Sequence, residues 1–156
     1  MNIERLLKMQ KELDDHINRS HPTDGIRTYK KVLALIVEIA ELANETRCFK
    51  FWSNKRSGDR EAILEEGADV LHFLFSIAND LGITHVNYQP IRNPIIEAQF
   101  LALFDHARLV SNKRHWEITF SLFVALMESL GYSWDELEKA YIRKNKINHE
   151  RQEKGY

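Results

Sequence analysis

The chain has 156 residues and a mass of 18.4 kDa, the size of one compact domain. Its 22 Lys and Arg residues nearly balance 23 Asp and Glu residues, which excludes a polycation that coats nucleic acid and an acidic disordered tail. The lone cysteine, Cys48, excludes an internal disulfide and is typical of a reducing cytosol. There is no apolar run of about 18 residues to span a membrane and no signal-peptide core. We therefore expect one cytoplasmic domain that binds neither membranes nor nucleic acid.

Apolar residues recur at helical spacing along the whole chain, so the sequence predicts an all-α domain, a bundle of about six helices. Asp59 and Ser133 are suited to cap helices at their N-termini. Gly82 and Gly131 are suited to end them, and Pro94 is suited to a first turn. The predicted helices cover, in chain order, about residues 3–19, 27–47, 60–81, 94–110, 116–130 and 134–152.

The second predicted helix is apolar on almost every side between residues 32 and 43, which is typical of a helix buried all round. Glu38, Glu41 and Glu45 interrupt it at spacings of three and four, so their carboxylates share one face. A solvated face is the ordinary explanation, but this stripe is narrow and is flanked by large aliphatic residues. Because desolvated carboxylates repel one another unless a cation joins them, we expect this face to hold a cation.

The third predicted helix repeats the pattern, with Glu66 and Asp69 one turn apart. Packed against Glu38 and Glu41, this pair would complete a set of oxygen donors that suits Mg²⁺. Since Mg²⁺ takes its remaining ligands from water and substrate phosphates, the pattern indicates phosphoryl chemistry with one or two ions. Asp69 and His72 also match half of a di-iron motif, but the second helix has no histidine. We expect His72 to pack or to support a ligand.

Polar residues also interrupt the apolar stripe of the first helix. Gln10 and Asp14 lie one turn apart within it, where an unpartnered polar group is costly. Either the two residues lie at an exposed edge, or they present donors and acceptors to a flat polar ligand such as a nucleobase.

The last helix carries a polar face at spacings of three, four and three, made of Tyr141, Lys144, Asn148 and Arg151. This face, predicted to lie opposite Ile147 and other apolar residues, suits successive phosphates, although a solvated basic face is the commoner origin. The loop after the second helix adds further cations among aromatic residues, namely Lys50, Lys55, Arg56 and Arg60 with Phe49, Phe51 and Trp52. We interpret Lys55 and its neighbours as cations that neutralise phosphate charge.

Residues 38–52 (EIAELANETRCFKFW) and 64–73 (LEEGADVLHF) closely resemble the dimeric all-α dUTPases, which belong to the MazG-like nucleotide pyrophosphatases. The resemblance extends over nearly the whole chain. Residues 9–14 (MQKELD) resemble the first family motif, and residues 141–152 (YIRKNKINHERQ) resemble the last.

The resemblance implies a homodimer that hydrolyses dUTP, and often dUDP, to dUMP. It implies that Mg²⁺ is bound by Glu38, Glu41, Glu66 and Asp69. It implies that uracil is read by Gln10 and Asp14, that Trp52 and Phe73 wall the base and sugar pocket, and that phosphates are bound by Lys144, Asn148 and Arg151. Asp14 stands where the family more often has Asn. An ionised Asp accepts a hydrogen bond from uracil N3–H but cannot donate one to a carbonyl.

We therefore expect a metal-held water to attack a phosphorus of dUTP and release dUMP and pyrophosphate, with Glu38, Glu41 or Glu45 as the base. Three alternatives stay open. A MazG-like pyrophosphatase for another nucleoside triphosphate differs only in its base pocket, a helical interaction protein uses its charged faces for association, and a di-iron bundle contains iron. The apolar fourth and fifth helices offer both core and dimer interface, which the sequence does not separate.

Overall fold

The computed structural model describes residues 2–22, 27–55 and 57–155. Arg56 and residues 23–26, which lie between the first two predicted helices, are outside these ranges. The described chain forms six helices and no strand, which confirms the predicted all-α fold. The helices are α1 (Ile3–Ser20), α2 (Arg27–Thr46), α3 (Arg60–Asp80), α4 (Ile96–Ala107), α5 (Lys113–Ser129) and α6 (Trp134–Glu153). None of these helices is long and apolar enough to cross a membrane.

The predicted caps of α3 and α6 are present. Asp59 accepts a hydrogen bond from the backbone N–H of Ala62, 2.8 Å from its Oδ1. Ser133 and Glu136 form a capping box in which each side chain bonds the backbone of the other. Gly82 follows the last turn of α3 with a φ of 66°, a left-handed conformation that glycine adopts without the strain a Cβ brings.

Two helix boundaries differ from the prediction for local reasons. The fourth helix begins at Ile96 rather than at Pro94, because Asn93 Oδ1 accepts the N–H of Ile95 at 3.0 Å and holds a turn there. The fifth begins at Lys113, three residues early, because Asn112 caps it.

The third helix is the central element: it packs against α1, α2, α5 and α6 and is buried over most of its circumference. Beside it, Trp116 of α5 is fully buried and donates its Nε1–H to the carbonyl of Leu74 at 2.7 Å. The apolar residues of α5 lie in the core, whereas Leu101 of α4 is 66% exposed. Within the single chain, α5 therefore belongs to the core, whereas α4 also contributes apolar residues to the surface.

The second and third helices run antiparallel. Lys31 Nζ lies 2.8 Å from Asp80 Oδ1 at one end of the pair, and the N–H of Gly58 donates to the carbonyl of Glu45 at the other. The acidic stretches in the middle of the two helices therefore face each other.

Two expectations about helix faces were wrong. The second helix is not buried all round, since Tyr29, Leu33 and Val37 form an exposed stripe at a spacing of four residues; α2 packs mainly against α3 and α4, which leaves its opposite side open. On α6, Tyr141 is fully buried and Ile147 is exposed. Tyr141 belongs to the core because its ring packs among other aromatic rings and its hydroxyl is hydrogen-bonded there.

Candidate active site

A cavity of about 310 Å³ lies between α1, α2, α3 and α6. Predicted site residues from three of these helices line it, namely Gln10, Asp14, Asp69, Phe73 and Asn148. The structure therefore brings together Gln10 and Asn148, which are 138 positions apart in the sequence. Because Gln10 and Asp14 line the cavity, the structure favours the ligand-facing interpretation of these two residues over a position at an exposed edge.

Gln10 and Asp14 form a buried polar wall of the cavity. The Nε2 of Gln10 donates to Asp14 Oδ1 at 2.9 Å, and the hydroxyl of Ser76 donates to the same oxygen at 2.9 Å. Asp14 Oδ2 is buried and has no hydrogen-bond partner within the described chain. Burial raises the pKa of Asp14 although these bonds and the charge of Lys31 oppose the rise. Asp14 Oδ2 therefore remains able to accept a hydrogen bond, and a buried polar atom without a partner is costly.

His72 supports this wall from α3. Its Nδ1 lies 2.7 Å from Gln10 Oε1, and its ring stacks on Tyr141 with centroids 4.3 Å apart. Burial, aided by the charge of Lys144, lowers the pKa of His72 to about 3, so the ring is neutral at pH 7. Since Gln10 Oε1 only accepts, Nδ1 carries the hydrogen. His72 therefore acts as the expected packing and supporting residue.

Cations from the first turns of α2 also line the cavity, namely Arg27, Lys30 and Lys31. These three residues are not among those predicted from the sequence, although three cations directly before a long apolar segment were the available signal. The structure places them here because the N-terminal end of α2 lies beside the C-terminal half of α3. They give this side of the cavity a positive edge.

Glu38, Glu66 and Asp69 bring carboxylate oxygens within 4.8 Å of one another. Glu66 Oε2 is buried with no hydrogen-bond partner in the part of the chain that the structure describes. Burial, followed by the charge of Asp69, raises the pKa of Glu38 and of Glu66 to about 7, and burial also raises the pKa of Asp69. Crowded, partly desolvated oxygen donors of this kind suit a hard divalent cation.

Glu41 and Glu45 lie outside this group of three. Glu41 is exposed, but its charge helps to raise the pKa of Glu38 and Glu66. The carboxylate of Glu45 lies against Gly58, beyond the end of the acidic cluster. Helical spacing put all three glutamates on one face but did not show how far along α2 the partner carboxylates of α3 extend.

On α6, Lys144 contacts the carboxylate cluster directly. Its Nζ lies 2.6 Å from Asp69 Oδ2 and 2.9 Å from Glu65 Oε1. The charge of Arg151 lowers the pKa of Asp69, so it acts on the same region. The last helix therefore brings positive charge next to the acidic residues, while Asn148 faces the cavity.

Trp52 and Lys55 are not brought to this cavity. Both are exposed, in a loop that Arg47 braces through bonds to Ser53 Oγ and to the Lys55 carbonyl. The cavity uses the N-terminal end of α2, and this loop follows its C-terminal end. At about 1.5 Å per residue, Lys30 and the end of α2 are about 24 Å apart.

Binding of a nucleotide with a metal-bound phosphate chain requires a cavity, carboxylates beside it and cations nearby. The described chain has all three. No curated protein sequence matches this chain. Residues 2–156 match the model of a protein family described as dUTPase. The chain therefore belongs to the dUTPase family, and it is a dUTP diphosphatase.

Proposed function

We propose that the protein hydrolyses dUTP, and also dUDP, to dUMP in an Mg²⁺-dependent reaction, and that it works in the cytoplasm as a homodimer. One observation carries the arrangement of the site. Asp69 both lines the cavity and belongs to the carboxylate group. A nucleotide with its base in the cavity would thus have its phosphates beside Glu38, Glu66 and Lys144.

The base would be held by the polar wall and packed against Phe73. The unpartnered Oδ2 of Asp14 suits uracil N3–H, which a carboxylate can accept. The second N–H of the Gln10 amide, which is not used by Asp14, suits a uracil carbonyl. Cytosine has no hydrogen on N3, so it would leave Asp14 Oδ2 without a donor. A buried group left unpaired in this way is a strong basis for selectivity.

Glu38, Glu66 and Asp69 would hold Mg²⁺, with Glu41 at the edge of the group. Carboxylate oxygens are the donors that Mg²⁺ prefers in proteins, and the buried Oε2 of Glu66 has no other partner among the described residues. When bound there, the ion would lower the pKa of water and neutralise phosphate charge.

The protein's own side chains would bind the phosphates and accept the proton of the attacking water. Lys144, Asn148 and Arg151 would bind the phosphates and stabilise the charge that develops on them. Glu38 lies in the carboxylate group beside Asp69 and Glu66 and is one candidate for the base that takes a proton from water. Glu41 is the second candidate for this base, because it is exposed beside the cluster.

A second copy of the chain would cover the exposed apolar stripe of α2. This stripe continues past Ala40 to an apolar groove of about 380 Å³ formed with the start of the following loop and α4, whose rim includes Phe49 and Leu101. An exposed apolar surface of this extent favours association with another protein surface. In a two-fold dimer through this face, the exposed loop of Trp52 and Lys55 could contact the active site of the other copy.

The metal assignment is tested by Glu66→Gln and Asp69→Asn. Because each change removes a charged oxygen donor but keeps the side-chain size, we expect Mg²⁺-dependent dUTP turnover to fall at least about 100-fold. Pyrophosphate release would be measured with dUTP, UTP, dTTP and dCTP, phosphate release would be measured with dUDP, and circular dichroism would check the helices.

Glu12→Gln, which changes an exposed carboxylate of α1, is the matched control and should keep full activity. Retention of more than half of the wild-type rate by Glu66→Gln would remove Glu66 from the metal site. Equal rates with dUTP and dCTP in the wild-type enzyme would reject the proposed uracil contacts.

A further inference from the structure

Tyr141 is fully buried in α6, yet it is tied to the polar wall of the cavity in two ways. Its hydroxyl lies 3.0 Å from Gln10 Oε1 and 3.3 Å from the carbonyl oxygen of Leu6. Its ring stacks on His72, with the two planes 24° apart. Tyr141 does not itself line the cavity, so any effect on a ligand acts through Gln10 and His72.

The side-chain amide of Gln10 has two orientations related by a half turn, and its neighbours decide between them. Its Oε1 receives hydrogens from Tyr141 and from Nδ1 of His72, which fill both lone pairs of that oxygen. Its Nε2 is thereby turned toward Asp14 Oδ1. After a half turn, the amide oxygen would meet the Asp14 carboxylate. The amide hydrogens would then need the Tyr141 hydroxyl and His72 Nδ1 as acceptors, which requires the hydroxyl hydrogen to turn to the Leu6 carbonyl and the ring hydrogen to move to Nε2.

We propose that Tyr141 is a positioning residue for base selection: its hydroxyl holds the Gln10 amide in the orientation that presents N–H, rather than C=O, to the base. The inference rests on the placement of the base in this cavity. A fixed N–H at Gln10 favours a base carbonyl and opposes an exocyclic amino group. The hydroxyl of Tyr141 therefore contributes to the choice of uracil over cytosine without contacting either base.

The test compares wild-type protein with Tyr141→Phe, which keeps the stacked ring and removes only the hydroxyl. Binding of dUMP and dCMP would be measured by calorimetry in EDTA, so that neither metal nor catalysis enters. Loss of one buried hydrogen bond predicts that the dUMP-to-dCMP affinity ratio falls about five- to tenfold. In turnover of dUTP, KM should rise while kcat changes less than about twofold, because the phosphate groups and carboxylates are untouched.

Tyr132→Phe is the matched control, since Tyr132 is also a buried tyrosine but packs against Arg60 rather than Gln10. It should leave the affinity ratio unchanged. A Tyr141→Phe protein with an unchanged ratio, or with equal losses for both nucleotides, would overturn the positioning role. Wild-type protein that binds dUMP and dCMP equally would instead reject the base placement, and with it the role of Tyr141.

A second measurement does not depend on the variant. Nitrogen chemical shifts of His72 in the wild-type protein should show the neutral tautomer with hydrogen on Nδ1, because Gln10 Oε1 accepts from that atom. In Tyr141→Phe, the other tautomer should become populated as Gln10 gains its second orientation. A wild-type ring with hydrogen only on Nε2 would contradict the amide orientation on which the proposal depends.

Discussion

The pKa values of the buried aspartates in this site are governed more by burial than by their pairwise contacts. Asp14 accepts two hydrogen bonds and still has a raised pKa. Asp69 contacts Lys144 at 2.6 Å and its pKa is also raised. In both cases desolvation of the charged form outweighs the favourable partner. The ionised carboxylates are therefore in a costly state, which a bound cation or a hydrogen-bond donor from a ligand would relieve.

This cost predicts how the stability of the metal-free protein depends on pH. The folded-state pKa of Glu38 and of Glu66 is about 7, against 4.5 for an ordinary glutamate. Between these values the folded state binds more protons than the unfolded state, so the free energy of unfolding falls as pH rises from about 4.5 to 7. Thermal unfolding in EDTA should therefore give a lower Tm at pH 8 than at pH 5.5, and Mg²⁺ should raise Tm more at pH 8.

The control for this dependence is Glu38→Gln, which removes one of the titrating groups and should flatten the pH profile. Glu12→Gln removes an exposed carboxylate outside the site and should leave the profile as in the wild type. A wild-type Tm that rises steadily from pH 5.5 to pH 8 in EDTA would contradict the raised pKa values.

At the scale of helices, the site depends on how closely α3 approaches its neighbours. A Cβ added to Gly67 would lie 2.8 Å from Met127 Cε and 3.1 Å from Leu137 Cδ1. Glycine is a poor helix former, so its place in the middle of α3 reflects this contact. The contact also positions the turn of α3 that carries Glu66 and Asp69.

Gly67→Val should lower the free energy of unfolding by about 1–3 kcal/mol, because the added methyl groups overlap α5 and α6. Urea unfolding followed by circular dichroism would measure it. Gly67→Ala is the graded control: Met127 is flexible enough to yield, and the gain in helix propensity offsets the strain, so stability should change by less than about 1 kcal/mol.

The Gly67→Val defect should be partly relieved by Met127→Ala in the same chain, since this removes the nearest atoms. Gly67→Val with wild-type stability would show that the three helices do not approach as closely as the structure indicates.

At the scale of the whole molecule, the net charge of −1 results from cancellation between separate regions. The acidic cluster of α2 and α3 lies beside the cations of α6, and a metal–triphosphate complex requires both signs. We also expect a dimer, because α2 carries an exposed apolar stripe of Tyr29, Leu33 and Val37. In this dimer, the loop of Trp52, which is distant from the cavity of its own chain, would reach the site of the partner chain.

Complementation between two inactive variants would test this arrangement. If Trp52 serves the partner's site, a mixed dimer of Glu66→Gln and Trp52→Ala chains has one intact site of two. After unfolding and refolding an equal mixture, about a quarter of wild-type activity should return, since half of the dimers are mixed. Sedimentation velocity would give the dimer fraction, and pyrophosphate release would give the activity.

Leu33→Asp in both chains should yield monomers and abolish this recovery, because it places a charge in the proposed interface. Ile91→Asp, which alters an exposed apolar residue outside the α2 stripe, should change neither property. No recovery from the mixture, with dimers present, would mean that Trp52 does not act across the interface.

The helices and most of the chemical groups of the site follow from the sequence, because both depend on local pattern. The periodicity predicted six helices, Asp59 and Ser133 marked two of their starts, and the acidic pairs of α2 and α3 lay at one-turn spacing. These features need only neighbours within a few residues. Helix faces were harder to predict, as Tyr141 shows, because a polar side chain at helical spacing is compatible with either solvent or a buried partner.

Only the tertiary structure decided which groups share a volume. It joined Gln10 to Tyr141 and His72, placed Lys144 on Asp69, left Glu41 at the edge of the acidic group, and left Leu33 uncovered. The physical reason is that residue spacing fixes directions around one helix axis, whereas contacts between helices depend on their crossing and relative shift, which the packing of the whole core sets. The sequence by itself thus determined the fold class and the chemical groups available, and the packed core determined their geometry.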